Sequence, residues 1–298
     1  MSTLFERKAA QFKAKLAANN AAAATMEAEA ARQARIAAMP PLQRQRIDLQ
    51  HLITTAKHWP RRPDPKIHRD PAKLGRGWLL PYLLAIDDHL WGRWDYWART
   101  TVAGKLRDEP IPQIDFGHEG NMDRSPCRRM LEASLNSIPR HGEWRTWGSW
   151  QYLDYFFDWL LFGFGQSHDP PKEPEEGAFS RLYQVFCLDA MLAWPHDYFG
   201  DMMSEQQHGR HLGFYPTPHV VVDFMTRINF HDAGEGGRDT RTQTVNDPCV
   251  GTGRMLLFAS NHSLCLSGAD INATCVKSTL VNMWMYAPWG AKPFPFLA

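Results

Sequence analysis

Apolar positions along this chain change their spacing several times, and each change marks an element. From Leu4 to Ala38 alanine dominates, with the run Ala21 to Ala24 and scattered Lys, Arg and Glu, which predicts a strong helix former with a weak apolar face. Between Leu79 and Phe164 aromatic and aliphatic residues recur mostly at helical intervals. Trp91, Trp94 and Trp97 repeat every three residues, as do Trp144, Trp147 and Trp150. That spacing sets rings on neighbouring turns of one helix face, where core packing is the expectation and base stacking the alternative. Val220, Val221, Phe224, Met225 and Ile228 carry a further helical pattern. Then the period shortens: Thr244 and Val245 read as a short strand, Arg254 to Ser260 as a helix start, and Leu264-Cys265-Leu266 as a second short apolar run. A helix follows from Ala273 to Tyr286, and Pro288, Gly290, Pro293 and Pro295 break the chain beyond it.

The two strands frame the most informative motif, Asp247-Pro248-Cys249-Val250-Gly251-Thr252-Gly253, with Asp270 seventeen residues after its last glycine. Two glycines allow a tight turn and close backbone approach, and a carboxylate at the end of the second strand can accept both hydroxyls of a ribose. Spacing excludes two cofactor classes. A dinucleotide fingerprint needs Gly or Ala where Leu256 stands, and a phosphate loop needs Gly-Lys-Ser/Thr where Gly253-Arg254-Met255 stands. A turn without a phosphate lysine suits S-adenosylmethionine, which carries no phosphate. An ordinary strand-to-helix glycine turn is the plain alternative.

Upstream lies Gly213-Phe214-Tyr215-Pro216-Thr217-Pro218-His219. Taken in order with the glycine turn and with Gly268-Ala269-Asp270, it resembles the adenine-specific DNA methyltransferases, especially the modification subunits of type I restriction systems and their plasmid and phage relatives. The likeness covers roughly residues 195 to 290. It implies an α/β, Rossmann-like cofactor segment, complete or incomplete, behind a mainly helical region. It also implies S-adenosyl-L-methionine as cofactor and adenine in DNA as substrate. By this resemblance Phe214, Tyr215, Thr217 and Pro218 pack over the methionine end, Asp247, Gly251 and Gly253 form the turn beneath it, and Asp270 holds the ribose. Asp197-Tyr198-Phe199-Gly200 is similar to the family's short Asp-x-x-Gly lead-in.

One family element is missing. These enzymes orient the target amine with an Asn/Asp-Pro-Pro-aromatic loop whose ring stacks on the flipped base. No such tetrapeptide follows Asp270. The one Asp-Pro-Pro is Asp169-Pro170-Pro171, followed by Lys172 inside a proline- and acid-rich stretch that reads as a linker, so Asp169 is a weak catalytic candidate for a permuted arrangement. The chain is therefore expected to be inactive alone. A second protein chain could supply the loop; a non-catalytic assembly subunit and a DNA-binding protein with a vestigial segment are the other readings.

Charge and composition change this picture in one place. Residues 1 to 76 hold 15 Lys/Arg against 6 Asp/Glu, while residues 77 to 298 hold 18 against 26, so the basic part is expected to meet something acidic. Within it, Trp59 to Lys66 is proline-interrupted and basic, making Arg61, Arg62, Lys66 and Arg69 candidates for DNA phosphates, or parts of a solvated linker. Three domains are expected: 1–76 as a basic arm, 77–177 as the aromatic helical region, and 178–298 as the cofactor domain. No apolar run approaches the roughly 20 residues that span a bilayer. Five scattered cysteines without a Cys-x-x-Cys pair suit a reduced cytoplasm without a zinc site.

Overall fold

The computed structural model describes residues 74–116, 126–138, 151–205, 214–231 and 239–297, together with three helical positions, Met26, Ala30 and Ala34. The chain divides into two compact units, 1–51 and 52–298, and every element from residue 80 onward belongs to the second. The candidate phosphate contacts Arg61, Arg62, Lys66 and Arg69 and the second tryptophan repeat lie outside the described residues.

The described elements run α1 (Leu80–Leu90), α2 (Arg93–Ala103), α3 (Pro126–Asn136), α4 (Gln151–Phe164), α5 (Ala178–Val185), α6 (Leu188–Ala193), α7 (Tyr198–Glu205) and α8 (His219–Asn229). They continue with β1 (Thr244–Asp247), α9 (Arg254–Ala259), β2 (Cys265–Gly268), α10 (Ala273–Tyr286) and α11 (Pro288–Ala291). β1 and β2 pair in parallel, Thr244 beside Cys265 and Asp247 beside Gly268. The spacing-predicted strand, turn, helix, strand and helix are thus all present. Among the described residues the sheet has these two strands and the rest is mostly helical.

α4 and α10 form the centre. Both are apolar around most of their circumference, the signature of a helix covered on every side, and they pack against each other. Polar ties fix their register: Thr274 Oγ1 donates to Asp154 Oδ1 at 2.7 Å and Lys277 Nζ to Asp158 Oδ2 at 2.8 Å. Asn272 caps α10 by accepting from Thr274 N at 2.9 Å.

Residues on both sides of position 177 share this core. The Trp94 ring sits 5.1 Å from Trp284, and Trp94 Nε1 donates to Trp284 O at 3.1 Å. Trp91 and Trp94 are buried, so core packing is what the first tryptophan repeat does. Arg93 is wholly buried on α2, yet its guanidinium donates to Pro112 O, Ser260 Oγ, Tyr286 O and Asn261 Oδ1 and lies 5.1 Å from the Trp289 ring. Burial lowers its pKa to about 9, which leaves it charged at neutral pH. No described helix is long and apolar enough to cross a membrane.

Candidate functional site

The turn after β1 is built by its own polar groups. Asp247 Oδ1 accepts from Cys249 N at 3.1 Å, Val250 N donates to Ala269 O at 2.9 Å, and Gly253 N returns to Val250 O at 2.8 Å. Gly251 and Gly253 have φ of 54° and 85°, the left-handed region that favours glycine. Their lost side chains would point to different neighbours. A Cβ at Gly251 would meet the Phe214 ring at 3.2 Å, whereas one at Gly253 would meet Thr279 on α10 at 3.0 Å.

Above this turn opens a cavity of about 280 Å³. Phe214, Tyr215, Pro216 and Thr217 line it from one side, Asp247 to Thr252 with Arg254 and Met255 from below, and Asp270, Ile271, Asn272 and Cys275 from the other. Six of the eight residues expected at the cofactor therefore converge here: Phe214, Tyr215, Thr217, Asp247, Gly251 and Asp270. Gly253 and Pro218 do not line it. Gly253 closes the turn against α10, and Pro218 is the N-cap residue of α8.

Asp270 bridges two walls. Its Oδ2 accepts from Gly251 N at 2.9 Å and its Oδ1 from Asn272 N at 2.8 Å. An ionised carboxylate has about four lone-pair sites, so capacity for further donors remains on both oxygens.

The most heavily bonded group near the site is Asp197, which is fully buried just before α7. Its Oδ1 accepts from Gly200 N and from Asn282 Nδ2, both at 3.1 Å. Its Oδ2 accepts from Thr252 Oγ1 at 2.7 Å and from Arg254 Nε at 2.9 Å. Arg254 reaches on to Asp201 Oδ1 at 2.5 Å and Thr217 O at 2.9 Å. One arginine thus ties the glycine turn, α7 and the Phe-Tyr-Pro-Thr segment together. The charges of Asp197 and Asp201 outweigh burial and raise the pKa of Arg254. A Cβ at Gly200 would overlap Asp197 Oδ2, so the lead-in needs glycine.

Beside this network, His196 Nε2 lies 2.7 Å from Asp201 Oδ2, and the His196 and His219 rings stack at 4.1 Å. Burial alone would raise the pKa of Asp201, but the histidines and Arg254 hold it well below the usual carboxylate range. Ligand atoms of His196, Asp201 and His219 lie within 4.8 Å of one another, the spacing of a metal site. The Arg254 guanidinium already bonds Asp201 Oδ1, and its charge opposes a cation beside it.

Sequence reasoning named Asp197 and Gly200 but missed Asp201, Arg254, His219 and Asn282. Arg254 follows Gly253 directly, yet its carboxylate partners Asp197 and Asp201 stand more than fifty residues earlier, beyond any local spacing rule. Asp169, the weak catalytic candidate, is exposed and does not line the cavity; nor do Pro170, Pro171 or Lys172. Compared with protein-family models, curated proteins and solved structures, the chain matches none of them.

Proposed function

We propose that the chain binds S-adenosyl-L-methionine in the cavity above the glycine turn, as a cofactor-binding unit of adenine-specific DNA methylation. The observation that carries this reading is convergence: Phe214 to Thr217, the Asp247 turn and Asp270, separate in sequence, line one cavity. Its charge supports a cationic ligand without phosphate. The carboxylates are Asp247 and Asp270, the cation is Arg254, and Arg254 is already bound to two aspartates. A sulfonium is favoured by acids and by the aromatic faces of Phe214 and Tyr215, whereas a diphosphate would face two like charges. A Rossmann-like fold is part of the same proposal, resting on the parallel strand, helix, strand order with its turn glycines.

In methyl transfer the amine nitrogen of a flipped adenine attacks the sulfonium methyl in line. The carbon–sulfur bond breaks, sulfur keeps the electron pair, and the amine loses a proton. Such a step needs a group to orient the amine and a ring to stack on the base, worth about 1–3 kcal/mol. The cavity lining contains neither an Asn/Asp-Pro-Pro-aromatic loop nor Asp169. The proposal therefore assigns cofactor binding to this chain and places the amine-orienting loop on a second polypeptide.

Calorimetry tests the first half. The cofactor should bind at 1:1 stoichiometry, and NADH, with its diphosphate, should bind far more weakly or not at all. Equal binding of the two would remove the support from charge. A methyl-incorporation assay tests the second half: the purified chain with adenine-containing duplex DNA should give no transfer above a no-enzyme control, and robust transfer would show that the orienting group lies within it.

A further inference from the structure

α8 is built inside out. Its inward positions are Val222 and Thr226, while Val220, Val221, Phe224, Met225 and Ile228 stand 40–63% exposed along the opposite side. Those five residues form one apolar stripe along the helix, and a contiguous apolar patch on a monomer is often functional. The charged pair on the helix, Asp223 and Arg227, is closed on itself at 2.9 Å, so the stripe carries no net charge to attract a nucleic acid.

The second open feature is the free edge of β1. The carbonyls of Gln243, Val245 and Asp247 accept from Ser263 Oγ, Ser267 Oγ and Ala269 N respectively, so the odd-numbered residues turn their backbone groups toward β2. Alternation then turns the N–H and C=O of Thr244 and Asn246 the other way, where the described residues supply no partner strand. β2 also meets α11. Parallel sheets are stable when buried within helical layers, and an unpaired edge is a template for another strand. α8 and β1 both pack on α9.

We infer that the α8 stripe and the β1 edge together dock a strand-bearing polypeptide of another chain, which adds a strand beside β1 and covers α8 with its apolar side chains. A second copy joined stripe to stripe would bring together five stripe residues per partner, far fewer than the roughly 20 residues a side of a specific stable interface. A segment crossing both features gains the backbone hydrogen bonds of strand addition. The inference rests on these two surfaces and not on which small molecule the cavity holds.

The probe is an acetylated decapeptide of alternating valine and threonine closed by two lysines, added to the full chain. Expected are saturable binding in fluorescence anisotropy and slowed amide exchange at 244–246 and 220–228. Affinity should fall at least tenfold in Phe224→Asp, which puts a charge on the stripe, and in Asn246→Pro, which removes an outward N–H. Both variants should keep the wild-type affinity for S-adenosylmethionine, which separates this result from the cavity reading. Absence of peptide binding, or equal binding by wild type and both variants, overturns the inference. So does a dimer in sedimentation, without peptide, that Phe224→Asp dissolves, because the stripe would then belong to a second copy.

Discussion

Asp197 accepts four hydrogen bonds, two on each oxygen and one for each lone-pair site of a carboxylate. In Asp197→Asn the amide nitrogen would face an obligate N–H donor whichever way it flips, Gly200 N on one side or Arg254 Nε on the other, and Arg254 would lose a buried counterion. Breaking such a buried pair costs about 3 kcal/mol or more, which lowers Tm by roughly 6–12 °C in a chain of this size. Scanning calorimetry of the variant checks this, and a shift under about 2 °C would show that solvent replaces the carboxylate. Asp270 carries a different prediction, because its two backbone bonds leave acceptor capacity free. If its oxygens take ribose hydroxyls, Asp270→Ala loses hydrogen bonds to a charged group, worth about 2 kcal/mol, and S-adenosylmethionine should bind about thirtyfold more weakly. Titration of the variant within a factor of two of wild type would make Asp270 a structural brace of the turn and nothing more. The two aspartates look alike in a sequence. Burial and donor count separate them.

At the scale of elements, α8 joins site and scaffold, since its first residue is His219 and the segment before it lines the cavity. Burial pushes the His219 pKa below its ordinary value, partly offset by Asp201. A histidine whose folded pKa is depressed binds fewer protons folded than unfolded, so its contribution to stability is complete at neutral pH. That contribution is lost as pH falls below about 6.5, the unfolded value. Asp87, which burial raises to about 7, works in the opposite direction, gaining stability as pH falls from about 7 toward about 4. His219→Gln removes the first contribution and keeps the second. Between pH 7 and 5 the variant should therefore lose less Tm than wild type, and identical slopes would show that His219 does not titrate on unfolding. The same helix shows what the sequence could report. Periodicity reads local backbone geometry, so α8, β1, α9, β2 and α10 were legible, as was the glycine turn with Asp270. Which face of α8 turns inward depends on its neighbour α9, and no local spacing contains that. The tie from Arg254 to Asp197 and Asp201 was hidden for the same reason: its bonds close loops of more than fifty residues.

Across the whole molecule, the helical region and the strand-bearing part behave as one core although composition suggested a boundary after residue 177. Arg93 and Trp94 on α2 reach Ser260, Trp284 and Tyr286, and α4 supplies the aspartates that hold Lys277 and Thr274 of α10. Cutting the chain at 177 would open the α4 side of α10, leave the Trp284 ring without Trp94, and strip Lys277 of its partner. The described residues of the residual piece hold a two-stranded sheet, and so few strands are marginal without packing against further elements. The fragment 178–298 should therefore show no cooperative thermal transition and no S-adenosylmethionine binding, although it holds every residue of the cavity lining. Supplying residues 52–177 as a separate chain should restore both, because the lost contacts are side-chain packing and hydrogen bonds rather than covalent links. Circular dichroism melting of the fragment, alone and with the added piece, decides the matter. A fragment that melts cooperatively and binds the cofactor alone would make the glycine turn and its cavity an autonomous unit, with the aromatic helices as an appended layer.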